Sequence, residues 1–137
     1  MTTKRNRRQR GFTLIELMVV IAIIGVLATV VTAALLGASE EGNVTAAKAQ
    51  IKNFETALMQ YRLKNKTFPT TEQGLNALVS GPQRFLNSSS VPKDPWGNDY
   101  VYRAPGPDGL PYEIISYGAN GQPGGTDYNA DISSAHL

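Results

Sequence analysis

Arg10-Gly11-Phe12-Thr13-Leu14-Ile15-Glu16 decides how the rest of this 137-residue chain is read. Behind it, Leu17 to Ser39 carries no charged side chain. These twenty-three residues span about 35 Å as a helix, enough to cross a bilayer core about 30 Å thick. Glu16 sits at the mouth of that block, and a carboxylate costs roughly 2.5–3.5 kcal/mol or more at mid-bilayer. A membrane anchor alone gives no reason to keep it. The leader's bases, Lys4, Arg5, Arg7, Arg8 and Arg10, all lie upstream and stay in cytosolic water. A cut between Gly11 and Phe12 would create an α-amino group four residues before Glu16, about 6 Å along a helix. An opposite charge raises the pKa of that amine, so it would be cationic. The carboxylate then meets its own amine or a neighbouring copy's, and the second pairing makes Glu16 an assembly device.

A basic leader, Gly-Phe-Thr-Leu-Ile-Glu and an apolar helix resemble the class III signal of type IV pilins and pseudopilins. The resemblance implies cleavage after Gly11 by a prepilin peptidase, N-methylation of Phe12, and pairing of Glu16 with a neighbour's amine. An ordinary secretory signal is the competing reading. Its apolar region is shorter than this one and holds no carboxylate.

The formal charge of +2 misleads. Five of thirteen bases lie in the leader, leaving eight against eleven acids in the remainder, a net of minus three. The basicity is a topology signal: the leader stays cytoplasmic and the rest is exported. No basic stripe is left for nucleic acid. There is no cysteine, so no disulfide braces a small exported domain. A metal is one substitute.

Val44, Ala47, Ile51, Phe54, Leu58 and Tyr61 recur at helical spacing, which predicts one helix from about Phe12 to about Lys64, roughly 80 Å long. Gly37-Ala38-Ser39-Glu40 is the expected bend. Related pilins often carry a proline where Ala33 stands, so melting of the helix there is in question. Phe68-Pro69 ends the run. Thr70, with Gln73 three residues on, predicts a capped short helix through Leu75, Leu78 and Val79. Gln83–Pro92 reads as a polar surface loop, and Asp94-Pro95-Trp96-Gly97-Asn98 as a turn. Tyr100–Tyr102 and Tyr112–Tyr117 are two strand candidates around Pro105–Gly109. The expected fold is α+β. A long N-terminal helix, membrane-spanning in its first half, packs on a short helix and a small antiparallel sheet. The expected organisation is a leader at 1–11, an apolar helix at 12–39 and a periplasmic domain at 40–137.

Tyr61 to Leu78, with its Phe68-Pro69-Thr70-Thr71-Glu72-Gln73-Gly74-Leu75, resembles the general secretion pathway protein G family, the major pseudopilins of type II secretion. So do Pro92–Tyr100 and Ser116–Gly121. The resemblance implies a type IV pilin-like fold and a structural subunit of the periplasmic pseudopilus. It also implies inner-membrane anchoring with a cytoplasmic N-terminus. The partners implied are further copies of the chain, the prepilin peptidase, minor pseudopilins and the inner-membrane assembly platform. The secretin channel and the folded exoproteins are implied indirectly. An adhesive or DNA-uptake pilin subunit is the alternative.

Gly118–Asp131 holds four glycines but little apolar content to order it, and its oxygens suggest a hard cation. The resemblance implies one calcium ion in this loop, with Asp131 and Asp127 as ligands. Asn120 stands where the family has aspartate, and Asn129, Ile115 and Ser116 are further oxygen sources. A phosphate loop is disfavoured by the acids. Enzyme chemistry is not expected, since there is no nucleophile elbow and His136 lies at the chain end. Glu72, Asp94, Asp99 and Glu113 read as caps, turns and exposed strand positions, and Trp96 and the tyrosines as core.

Overall fold

The computed structural model describes residues 11–137. Helix α1 runs Leu14–Asn65, 52 residues. Its sequence is rich in leucine, isoleucine and alanine and meets no proline before Pro69. Helical structure is continuous through Ala33 and Gly37–Glu40. Lys66 ends it at φ 71°, donating its N–H to the Arg62 carbonyl at 2.7 Å. Arg62 and Lys64 in the last turn complement the helix dipole.

The chain divides into two compact units, one ending at Ala38 and the other Ser39–Leu137. In the first, α1 is apolar on every side and long and apolar enough to cross a membrane. Its large apolar side chains, from Leu14 to Leu36, are exposed. Its threonines carry no free hydroxyl into that surface: Thr29 donates to Val26 O at 2.7 Å and Thr32 to Ala28 O at 2.8 Å.

The second unit is built on the predicted stripe. Ala47, Ile51, Phe54 and Leu58 are fully buried, and Val44 and Tyr61 flank them. Leu75, Leu78, Tyr100, Tyr102, Ile114 and Ile132 cover the stripe, with the Phe54 and Tyr100 rings edge to face at 5.0 Å. The Thr70–Gln73 box forms in both directions: the Gln73 amide oxygen accepts the Thr70 N–H at 2.9 Å, and the Thr70 hydroxyl accepts the Gln73 N–H at 3.3 Å. The segment beyond the box, Gly74–Leu78, is a 3₁₀ helix and not an α-helix. Gly74 adopts φ +57°, and a left-handed residue at that point stops α-helical propagation.

Strands β1 (Val101–Arg103), β2 (Glu113–Ser116) and β3 (Ile132–Ser133) form an antiparallel sheet in that order. Tyr102 pairs with Ile114, and Ser116 with Ile132. Sequence analysis expects two strands. The third, two residues long, has no local signature and exists because β2 offers it an edge. As the middle strand, β2 is buried throughout, so Glu113 is not an exposed position: it accepts a hydrogen bond from Ser133 Oγ at 2.6 Å. Gln83–Pro92 is irregular, yet Phe85, Leu86 and Val91 pack on the core.

Candidate functional site

Leader residues 1–10 lie outside the described residues. Gly11 has open space where a side chain would sit, and Phe12 is 93% exposed. Helix α1 begins two residues later, and its start is a capping box. Glu16 Oε2 accepts the Thr13 N–H at 3.1 Å, and Thr13 Oγ1 accepts the Glu16 N–H at 3.3 Å. The Thr-x-x-Glu spacing is legible as such a box. Sequence reasoning weighed Glu16 only as a buried charge and missed it. Glu16 therefore has an occupation within one chain, and that bond holds its carboxylate at the amino end of the helix. A carboxylate there is also favoured by the helix dipole.

The glycine-rich loop is held from outside by the turn at Asp94–Asn98. Asp94 is only 4% exposed. Its Oδ1 accepts the N–H groups of Trp96 at 3.1 Å and Asn98 at 2.8 Å, and its Oδ2 accepts the Ser116 hydroxyl at 2.7 Å. Asn98 Nδ2 donates to the Gly118 carbonyl at 3.1 Å. Trp96, half-buried, donates its indole N–H to Glu40 on α1 at 2.7 Å. This turn thus ties α1 to the start of the loop. Sequence analysis recognised the turn but not its hub, because Asp94 and Ser116 meet only in the folded chain.

Of the residues named as ion ligands, Asn120, Asp127, Asn129 and Asp131 are all exposed loop positions. Both Asp131 oxygens accept the Gly124 N–H at 3.0 Å. Asn120 Oδ1 accepts the Gln122 N–H at 3.1 Å. Asp127 begins a 3₁₀ turn at φ 54° and lines a cleft of about 950 Å³ with Glu40, Glu41 and Tyr128. Ser116 directs its side chain to Asp94, and Ile115 lies in β2. Gly118, at φ +65°, could not carry a side chain: a Cβ would stand 2.6 Å from the Tyr128 carbonyl and 3.0 Å from that of Ala130. Among the described residues no three carboxylate or imidazole groups gather around a common point. The donor set is all oxygen, which suits a hard cation and not a thiolate-seeking metal.

Residues 34–135 match the family model for type II secretion system (T2SS) protein G. The chain belongs to that family. Residues 6–32 match the prokaryotic N-terminal methylation motif. Type II secretion system core protein G of Pseudomonas aeruginosa is 43% identical over 139 residues, covering 95% of this chain and 97% of that protein. The Vibrio cholerae protein is 43% identical over 142 residues, covering 98% and 97%. The crystal structure of the major pseudopilin from the type 2 secretion system of enterohaemorrhagic Escherichia coli superposes with a TM-score of 0.61 at 33% identity. It covers 75% of this chain and 95% of that one. The chain is a structural subunit of the pseudopilus. Its pilin-like fold, a long N-terminal helix and a three-stranded antiparallel sheet, belongs to a structural family and not to an enzyme family.

Proposed function

We propose that the chain matures by cleavage after Gly11 and methylation of the Phe12 amine, and that Glu16 then pairs with the Phe12 amine of an adjacent copy. Prepilin peptidase performs the processing. Assembly draws subunits from the inner membrane, where each is held by one span with its N-terminus cytoplasmic. The filament grows into the periplasm with minor pseudopilins and an inner-membrane platform, and pushes folded proteins toward the outer-membrane secretin. One observation carries this reading: a carboxylate fixed at the first turn of a helix whose large apolar side chains, from Leu14 to Leu36, are exposed. A free helix of that kind needs a partner, and lipid satisfies its apolar surface but not its charge.

The capping box complicates the obvious test, since Glu16→Leu removes cap and charge together. Glu16→Gln separates them, because glutamine also serves at this position of a capping box. The expected result is a variant that remains in the membrane but forms no filaments. Normal filaments from Glu16→Gln would remove the charge from the mechanism. Mass spectrometry of the mature chain is expected to find methylated Phe12 at the N-terminus, and a start at Met1 refutes the processing step.

In the loop, a calcium ion would be held by the Asp127 and Asp131 carboxylates and the Asn120 and Asn129 amide oxygens. Backbone carbonyls, those of Ile115 and Ser116 among them, would complete the shell. Support comes from the oxygen-only donors of these side chains and from the exposure of Asp127 and Asp131 on the same loop. Bound calcium would cross-link a loop that has no core of its own. The protein is expected to melt earlier in a chelator, and Asp131→Ala to abolish that difference. An unchanged melting temperature in chelator refutes the ion.

A further inference from the structure

Two of the most exposed large apolar side chains of the Ser39–Leu137 unit lie on α1: Met59 at 53% and Leu63 at 77%. Arg62 shares their helix face, and Lys66, just past the helix end, joins the three in lining one surface depression. Neither Arg62 nor Lys66 has an acidic partner among the described residues, where the ion pairs are Lys52–Glu55 and Lys93–Asp99. The Arg62 guanidinium lies 5.2 Å over the Phe68 ring, an attraction that leaves its net positive charge in place. The helix dipole explains a base near a C-terminus. It does not explain two apolar side chains left in water beside the bases. Nor does it explain a lysine at φ 71°, where a non-glycine residue costs about 1–2 kcal/mol.

About 28 Å back along the same helix, from Leu63 to Val44, the sign reverses. The cleft of about 950 Å³ is lined by Glu40, Glu41 and Asp127, with Val44 and Tyr128 as its apolar walls. Only Glu40 has a side-chain partner there, the neutral indole of Trp96. Glu40 and Glu41, both on α1, face no base among the described residues lining the cleft, and they carry its charge while Asp127 is left to the ion proposed above.

Two patches of opposite charge, each with an apolar component, thus stand at different places on one unit. A two-fold dimer needs a patch complementary to itself. Two different complementary patches give a head-to-tail contact, which propagates into an open helical filament when it does not close. We infer that the Met59–Lys66 stripe of one copy docks into the Glu40–Glu41 cleft of a second copy. This deepens the assembly reading and rests on it, adding a contact between exported domains to the contact between apolar helices. It sets the offset of the touching copies near 28 Å along α1.

The chain has no cysteine, so cross-linking starts from a clean background. Two full-length copies with different tags are co-expressed with the secretion machinery, one carrying Leu63→Cys and the other Thr45→Cys, and oxidised in membranes. A mixed disulfide dimer is expected. It is expected to be lost when the first copy also carries Arg62→Glu and Lys66→Glu, and to return when the second copy carries Glu41→Lys. Leu17→Cys in both copies reports separately on the apolar helices. Absence of the 63–45 product while the Leu17 product forms overturns the docking contact and leaves assembly standing. A product indifferent to both charge changes overturns it as well. Loss of both products overturns assembly itself.

Discussion

Replacing Asp94 by alanine should loosen the whole carboxyl-terminal third of the exported unit. The side chain is buried and accepts three hydrogen bonds, from Trp96 N, Asn98 N and Ser116 Oγ. The two backbone donors sit in half-buried residues, and water can reach them after a small relaxation. Ser116 cannot relax this way, being 0% exposed. Its stranded hydroxyl costs about 1–3 kcal/mol, and the lost bonds to a charged acceptor bring the total to about 4 kcal/mol. A domain of this size has roughly 5–15 kcal/mol to lose. With a urea slope of about 2 kcal/mol per molar, the midpoint should fall by about 2 M. Asp94→Asn keeps an oxygen toward the two amides and should cost about 1–2 kcal/mol. The measurement is urea unfolding of a Ser39–Leu137 fragment, which contains the complete core, followed by circular dichroism. Hydrogen exchange at Gly118 to Asp131 reports whether the loop opens first, as expected, because Asn98 grips the Gly118 carbonyl. An alanine midpoint within about 0.5 M of the parent, or loop amides as protected as before, refutes the hub.

Among the described residues the buried Tyr100 hydroxyl has no hydrogen-bond partner, so Tyr100→Phe should be neutral or stabilise by up to about 1 kcal/mol in the same unfolding experiment. The tyrosines also set an alkaline limit. Burial, with Tyr112 and Tyr61 nearby, pushes Tyr102 from an ordinary 10.0 up to about 12. Burial also raises Tyr100 and Tyr112, with smaller contributions from Asp94 and Glu55. The unfolded chain releases these protons first, so their contribution is intact below about pH 10 and falls as pH climbs from 10 to 12. Denaturant midpoints taken from pH 8 to 11.5 check this, and Tyr102→Phe should flatten the fall. Lys66→Gly should stabilise the fragment by about 1 kcal/mol by relieving its left-handed backbone, read as a higher melting temperature.

Periodicity made α1 and its buried stripe legible, because Ile51, Phe54 and Leu58 repeat at the helix's own spacing and helical geometry depends on neighbours three and four residues away. Both capping boxes were equally local, although only the one at Thr70 was read as a cap. The anchor and Glu16 could be read for the same reason: a charge beside an uncharged run is visible without any fold. Strand β3, the burial of Glu113 and the Asp94 hub could not be. Ile132–Ser133 is a strand only because β2 lies beside it, and Asp94 meets Ser116 across twenty-two positions of chain. The sequence by itself determined that this chain carries an apolar helix with an acid at its start, since those are properties of consecutive residues. Only the tertiary structure decided which polar groups hold the glycine-rich loop and which apolar side chains stay in water. Burial and hydrogen-bond partnership depend on segments that become neighbours when the chain folds.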